Sequence, residues 1–256
     1  QSMLIRPYHH LTKRSPYDIC RVADLGDTPV NPVDLDASLS SIEQFYARLH
    51  QSGARPLSVG GDHLTTLPVL RAIAKDGPVG LIQFDAHSDT NDKYFGGSRY
   101  THGTVFRRAI EEGLVDPART VQIGIRGTRY RPEGTDFVEE NGISVINIEE
   151  FLDAGVARTI EQIKRTVGDL PAYVTFDIDC LDPASAPGTG TPEVGGVGVH
   201  HAQAMIRGLA DLNLVGGDLV EVSPPFDSNG ITSLVGATLA FELLCVLAQS
   251  MARNQE

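Results

Sequence analysis

The sequence predicts an α/β protein with a mainly parallel sheet covered by helices on both faces, and three observations predict it. Short apolar runs suited to strands alternate with segments whose apolar residues recur at helical spacing, the pattern of parallel strands joined by crossover helices. Two of the strand candidates run directly into aspartate-rich segments, and ligands in open α/β sheets bind beyond the carboxyl ends of the strands. With 256 residues, 41% of them hydrophobic, the chain can bury one large core, so residues 1–256 are expected to form a single domain.

Residues 1–34 are rich in turn formers and are expected to be tied only loosely to the rest of the chain. From Ser40 to Leu49, Ile42, Phe45, Tyr46 and Leu49 recur at helical spacing. Pro56 introduces the short strand Leu57-Ser58-Val59, which ends at Gly60-Gly61, and Asp62 is placed to cap the helix carrying Leu67, Val69, Leu70 and Ile73. Val79 to Phe84 is the next strand, followed by a polar turn and a helix from about Thr104 to Glu112. Further strands are expected at Val121 to Ile125, Ser144 to Ile148, Tyr173 to Phe176 and Gly217 to Val222. Helical patterns over Val156 to Val167, His201 to Leu209 and Leu234 to Leu247 lie between or after them. No internal repeat, low-complexity tract or long linker interrupts the series.

The charge balance narrows the function classes. Lys and Arg number 21 against 33 Asp and Glu, a net charge of -12, whereas phosphate backbones call for clustered positive charge, so no nucleic-acid partner is expected. Cys20, Cys180 and Cys245 lie far apart without a CxxC pair, unlike a zinc-thiolate site or a disulfide framework. No uninterrupted apolar run reaches about 18 residues, so no membrane span is expected and a cytoplasmic setting is. The first residue is Gln rather than Met, which leaves any targeting signal unread.

Three segments carry the chemistry. In Phe84-Asp85-Ala86-His87-Ser88-Asp89, extended geometry would put Asp85, His87 and Asp89 on one side, a usable set of hard-metal ligands. In Phe176-Asp177-Ile178-Asp179-Cys180-Leu181-Asp182-Pro183, the same alternation groups Asp177 with Asp179, while Asp182 before Pro183 reads as a turn residue. Gly60-Gly61-Asp62-His63 permits a tight strand-to-helix turn that brings His63 toward the same end of the sheet. Taken alone, His63 equally suits a structural or capping role, and paired aspartates also terminate strands. Four aspartates and two histidines together make a reasonable shell for two transition-metal ions; manganese suits that oxygen-rich mixture, and zinc, nickel and iron stay open.

At this point the chain resembles the agmatinase branch of the arginase-like ureohydrolases. The resemblance rests on GGDH at 60–63, DAHSD at 85–89, THGTVFRRAIEEG at 101–113, DIDCLDP at 177–183, APGTGTPE at 186–193 and VEVSPPFD at 220–227, and it covers residues 6 to 248. It implies a three-layer α/β/α arginase-like fold, assembled as a homotrimer or homohexamer, with two Mn2+ per chain. It implies His63 and Asp89 as ligands of one ion, His87 and Asp179 of the other, and Asp85 and Asp177 as bridges. It further implies His102 as proton shuttle, Glu221 as the carboxylate that holds the guanidinium, and Asp89 as the residue that also orients the nucleophile. Without the resemblance, His102 suits capping or exposure, and Glu221, between Val220 and Val222, suits an ordinary outward-facing site. Relatives normally open with a further strand and a Gly- and Arg-rich loop; nothing equivalent precedes Gln1, so a domain lacking the usual amino-terminal segment is expected.

The expected reaction is hydrolysis of a small guanidino substrate to urea and an amine. Agmatine stands first, and 4-guanidinobutanoate and 3-guanidinopropanoate are the alternatives. Arg129 or Arg131, in a polar loop after the Val121 strand, could pair with a substrate carboxylate or could simply be exposed. A single-zinc deacetylase and a metal-stabilised scaffold are the remote alternatives. The glycines lack the Gly-rich loop plus Lys of a phosphate cradle, and no Ser-His-Asp constellation stands out.

Overall fold

A computed structural model of the protein describes residues 5–128 and 135–253. The helices are α1 (Pro16–Ile19), α2 (Leu35–Gln51), α3 (Thr66–Ile73), α4 (Val105–Glu111), α5 (Thr135–Glu140), α6 (Ile148–Val167), α7 (Val199–Arg207) and α8 (Ile231–Arg253). The strands are β1 (Leu57–Val59), β2 (Val79–Phe84), β3 (Val115–Ile125), β4 (Ser144–Asn147), β5 (Ala172–Asp177) and β6 (Leu214–Val220). They form one sheet in the order β1-β6-β5-β2-β3-β4, and every adjacent pair is parallel. All strand carboxyl ends therefore open on one edge.

Alternation along the central strands divides the core in two. Leu81 of β2 and Tyr173 of β5 face a cluster with Leu39, Leu67, Leu70, Val105 and Phe106 from α2, α3 and α4. Ile82, Phe84, Val174 and Phe176 face the other way, onto Phe151, Ile163, Met205, Ile206, Leu239 and Leu243 from α6, α7 and α8. The architecture is thus the expected three-layer α/β/α arrangement, and burial on both faces explains the nearly continuous apolar strands.

Local signals set the helix starts. Asp34 accepts from Ala37 N at 2.9 Å to cap α2. Asn147 and Glu150 form a reciprocal capping box on α6, whose interior breaks at Gly155, where φ is 72°. At the start of α8, Asp227 accepts from the backbone N–H groups of Thr232 (3.1 Å) and Ser233 (2.8 Å). By length and hydropathy α8 is apolar enough to cross a membrane, but half of that stretch is buried in the fold. It carries Glu242, only 3% exposed, which an apolar bilayer span would not accommodate unpaired.

Two expectations change. Part of the amino-terminal stretch is anchored rather than loosely tied, because buried His9 places Nε2 3.0 Å from the Glu242 carboxylate, which Arg207 also grips, while residues 21–34 stay largely exposed. The strand expected at Val121 begins at Val115, which pairs with Val79 of β2 before a register shift, despite Pro117.

Candidate metal centre

Three strand ends deliver the ligand candidates, and backbone turns rather than extended alternation bring them together. β2 stops at Phe84, and residues 85 to 90 leave the strand, with Asp89 left-handed at φ 51°. Carbonyls along this loop find separate donors: Arg126 N takes Ala86 O, Gln83 Nε2 takes His87 O, Gln122 Nε2 takes Ser88 O and Phe106 N takes Asp89 O. β5 ends in Asp177, whose carboxylate accepts from Asp179 N at 2.8 Å to cap a single 3-10 turn over Ile178–Cys180. That turn, not a period of two, sets Asp177 beside Asp179, while Ile178 joins the opposite core. After β1, Gly60 and Gly61 take φ of 105° and 76°, and Asp62 caps the next turn at Leu64 N, which drives His63 inward to complete burial.

The six ligand candidates form two groups that share one carboxylate. His63 Nδ1 stands 3.0 Å from Asp89 Oδ2, 3.2 Å from Asp177 Oδ2 and 3.3 Å from Asp85 Oδ2. His87 Nδ1 stands 3.0 Å from Asp179 Oδ2 and 3.6 Å from Asp85 Oδ1. Within each group the ligand atoms lie within 4.8 Å of one another, and Asp85 belongs to both. Asp177 is placed with the His63 group, whereas the resemblance had it bridging.

The donor set fits divalent cations on physical grounds. His63 Nδ1 is buried without a hydrogen-bond partner although three carboxylates face it, while Nε2 lies 2.8 Å from the Thr175 hydroxyl. Nε2–H donating to Thr175 leaves an Nδ1 lone pair aimed at anionic oxygens, an arrangement that needs a cation or a proton between them. Burial raises Asp177 well above the usual carboxylate range, with the Asp179 and Asp85 charges adding to it. Burial and the Asp85 charge likewise push Asp89 up to about 6. Burial disfavours a charged His87, but Asp179 and Asp85 outweigh it and push its pKa up to about 12. Without cations, this many carboxylates repel one another in a water-poor site.

The remaining site candidates lie around this cluster. Glu221 follows β6 in a left-handed conformation (φ 65°), and its Oε1 accepts from His63 N at 2.8 Å. Burial raises its pKa, opposed by that hydrogen bond and by the charges of His63 and His102. His102 opens a 3-10 turn under a Thr101–Thr104 capping box, with its ring edge-on to Tyr94 and Phe95 at 5.8 and 5.6 Å; it is in neither metal group. Arg129 and Arg131 lie outside the described residues. Asp182 is the turn residue its sequence suggested, accepting from Ala184, Gly195 and Gly196 N.

Several neighbours were given no role by the sequence, although Thr191 and Glu193 lie within the APGTGTPE motif. Glu193 places Oε1 3.9 Å from His87 Nε2, and the Thr191 hydroxyl donates to Asp179 Oδ2 at 3.2 Å. Arg126 spreads its guanidinium over the carbonyls of Gly124, Asp179, Cys180, Leu181, Glu193 and Val194, lashing the second ligand turn to the end of β3. For Gln83 and Thr175 a signal did exist. Each is a polar residue two positions before a candidate ligand in an otherwise apolar strand.

Comparison with known proteins identifies the family. The arginase family model matches residues 1–245. The guanidinopropionase of Pseudomonas aeruginosa is 60% identical over 253 residues, which are 99% of this chain and 80% of that protein. The guanidinobutyrase of the same organism is 48% identical over 248 residues, 96% of this chain and 77% of its own length. The solved structure of proclavaminate amidino hydrolase from Streptomyces clavuligerus superposes with a TM-score of 0.91 at 40% identity, covering 96% of this chain and 82% of that one. With a buried His/Asp cluster at the carboxyl edge of the matching fold, the chain belongs to the arginase family and is a metal-dependent amidinohydrolase acting on a small guanidino compound.

Proposed function

We propose that the chain hydrolyses a short guanidino acid, 3-guanidinopropanoate first and 4-guanidinobutanoate next, to urea and the corresponding amino acid. The observation that carries this order is the 60% identity to a guanidinopropionase across nearly the whole chain. It displaces agmatine from the first place that the motifs alone suggested. Agmatine is the second reading: Glu193, part-exposed beside His87, offers a carboxylate that an ammonium tail would pair with.

In this reading His63, Asp85, Asp89 and Asp177 hold one ion, and Asp85, His87 and Asp179 hold the other. The oxygen-rich donor set favours Mn2+. Bound there, two such ions would supply water activation near neutral pH and electrostatic stabilisation of developing negative charge. Glu221, fixed through His63 N, accepts two parallel hydrogen bonds from the guanidinium and sets its plane. Asp89, held left-handed, would orient the nucleophile as well as hold the ion. His102, edge-on against the Tyr94 and Phe95 rings, passes a proton to the departing amine. A homotrimer or homohexamer is the proposed assembly.

The test is kcat/KM for 3-guanidinopropanoate, 4-guanidinobutanoate, agmatine and arginine with Mn2+-loaded protein, reading urea. A tenfold preference for agmatine, roughly 1.4 kcal/mol in transition-state binding, overturns the acid assignment and leaves the amidinohydrolase chemistry standing. Acetate release from acetyl-lysine without urea from any guanidino compound would defeat both.

A further inference from the structure

One level below the ligand candidates, four strands present polar side chains in a single transverse row. Gln122 of β3 is the register partner of Gln83 of β2, Gln83 of Thr175 of β5, and Thr175 of Asp218 of β6. Each is at most 1% exposed. Polar groups across the middle of a doubly covered sheet are costly unless their partners are specified.

The β2–β3 half of the row is an amide ladder with a direction. Gln122 Nε2 donates to Gln83 Oε1 and to Ser88 O, both at 2.7 Å. Gln83 Nε2 donates to Asp85 Oδ2 at 2.8 Å and to His87 O at 3.1 Å. The orientation follows from charge: a flipped Gln83 would set its carbonyl oxygen against the Asp85 carboxylate. With its nitrogen turned to Asp85, the Gln83 oxygen faces β3 and takes its donor from Gln122. Both Gln83 protons and one Gln122 proton therefore point at the loop that bears Asp85, His87 and Asp89, the other Gln122 proton going to Gln83.

We propose that Gln83 and Gln122 are positioning residues for the metal pair. The ladder holds Asp85 Oδ2 on the His63 side, while Oδ1, which also accepts from His87 N at 2.6 Å, is turned to the His87 side. By tying the carbonyls of His87 and Ser88 it also fixes the backbone between the two groups before any ion arrives. The shared carboxylate thus has one rotamer in which each oxygen serves a different ion. Outer hydrogen bonds of this kind tune ligand orientation and metal affinity. The inference rests on the two-ion reading of the cluster.

Gln83→Met and Gln122→Met keep side-chain length and remove the donors. Mn2+ titration of each, followed by the EPR signal of the coupled ion pair, should show affinity weakened about 10- to 100-fold for at least one ion and an altered coupling signature. Gln122→Glu supplies an acceptor where the ladder needs a donor, inviting Gln83 to turn its oxygen toward Asp85, and should weaken binding beyond Gln122→Met. Melting of the metal-free variants separates packing from positioning, and the two Met variants suffice if Gln122→Glu does not fold. Affinity within about threefold of wild type in both Met variants, with an unchanged EPR signature, overturns the proposal even if their melting points fall. Wild-type protein that takes up no Mn2+ defeats the two-ion reading and this inference together. Wild-type protein holding two ions, matched by both variants, defeats this inference alone.

Discussion

Arg126→Met is the substitution with the largest calculable reach from outside the ligand set. The side chain makes seven contacts to six carbonyls, although a guanidinium has only five protons, so some are shared. On deletion, the carbonyls of Glu193 and Val194 can rehydrate, since Val194 is 82% exposed. Cys180 O keeps Val197 N at 3.0 Å. Asp179 and Leu181, each 1% exposed, lose their side-chain donor with no ready water. Two buried carbonyls at about 1–3 kcal/mol each, reduced by partial relaxation, give a loss of roughly 2–4 kcal/mol. For a chain of this size that lowers Tm by roughly 5–15 °C. Urea unfolding of metal-free wild type and variant reads the difference directly. Arg126→Lys should recover less than half of it, because one ammonium cannot span the fork. A loss under about 0.5 kcal/mol would refute the assignment of a structural lashing to Arg126.

The same geometry sets three further outcomes. Asp85→Ala should depress uptake of both ions because Asp85 belongs to both groups, whereas His87→Ala should leave the His63 group loaded; metal analysis after gel filtration distinguishes them. Gly124→Ala should cost roughly 2 kcal/mol or more, because φ is 98° and the new Cβ would meet Cys180 Sγ at 2.9 Å and Asp85 O at 3.0 Å, and thermal melting reads it. Metal loading should release protons near neutrality: in the ion-free protein the carboxylates hold His87 protonated, with a pKa up to about 12, and a ligating Nδ1 must shed that proton. Since His87 stays protonated below that value, apparent Mn2+ affinity should rise by up to about tenfold per pH unit for each proton released; titrations that give a flat profile would contradict it.

The sequence spoke most clearly where an element's own residues decide its state. β2 was legible from end to end because Pro78 and Asp85 bracket a six-residue run, apolar but for Gln83, that is buried on both faces. The six ligand candidates were legible by type and position, yet the cause of their convergence was not. Alternation suggested shared faces, whereas left-handed Asp89 and the 3-10 turn after Asp177 do the gathering. His9 was illegible because its meaning lies in Glu242, 233 positions away. Gln83 and Gln122 are each the lone polar side chain of an expected strand, Val79 to Phe84 and Val121 to Ile125, and only the β2–β3 register makes them a ladder. The first half of β3 was hidden by Pro117, which the strand tolerates beside a shift in register.

Asp89 and Glu221 are two of the four non-glycine residues with positive φ among those described, and both belong to the proposed reaction site. Side chains there sit on a backbone that L-residues adopt at a cost of order 1 kcal/mol or more. The molecule is least comfortable where it is meant to work, and the discomfort is held in place by neighbours such as His63 N on Glu221. Selection for thermal endurance alone would therefore drift toward glycine at position 221, relaxing the chain and discarding the carboxylate in one step. Durability and turnover pull this residue in opposite directions, so a hardened version of the enzyme must find its gains away from the ends of β2 and β6.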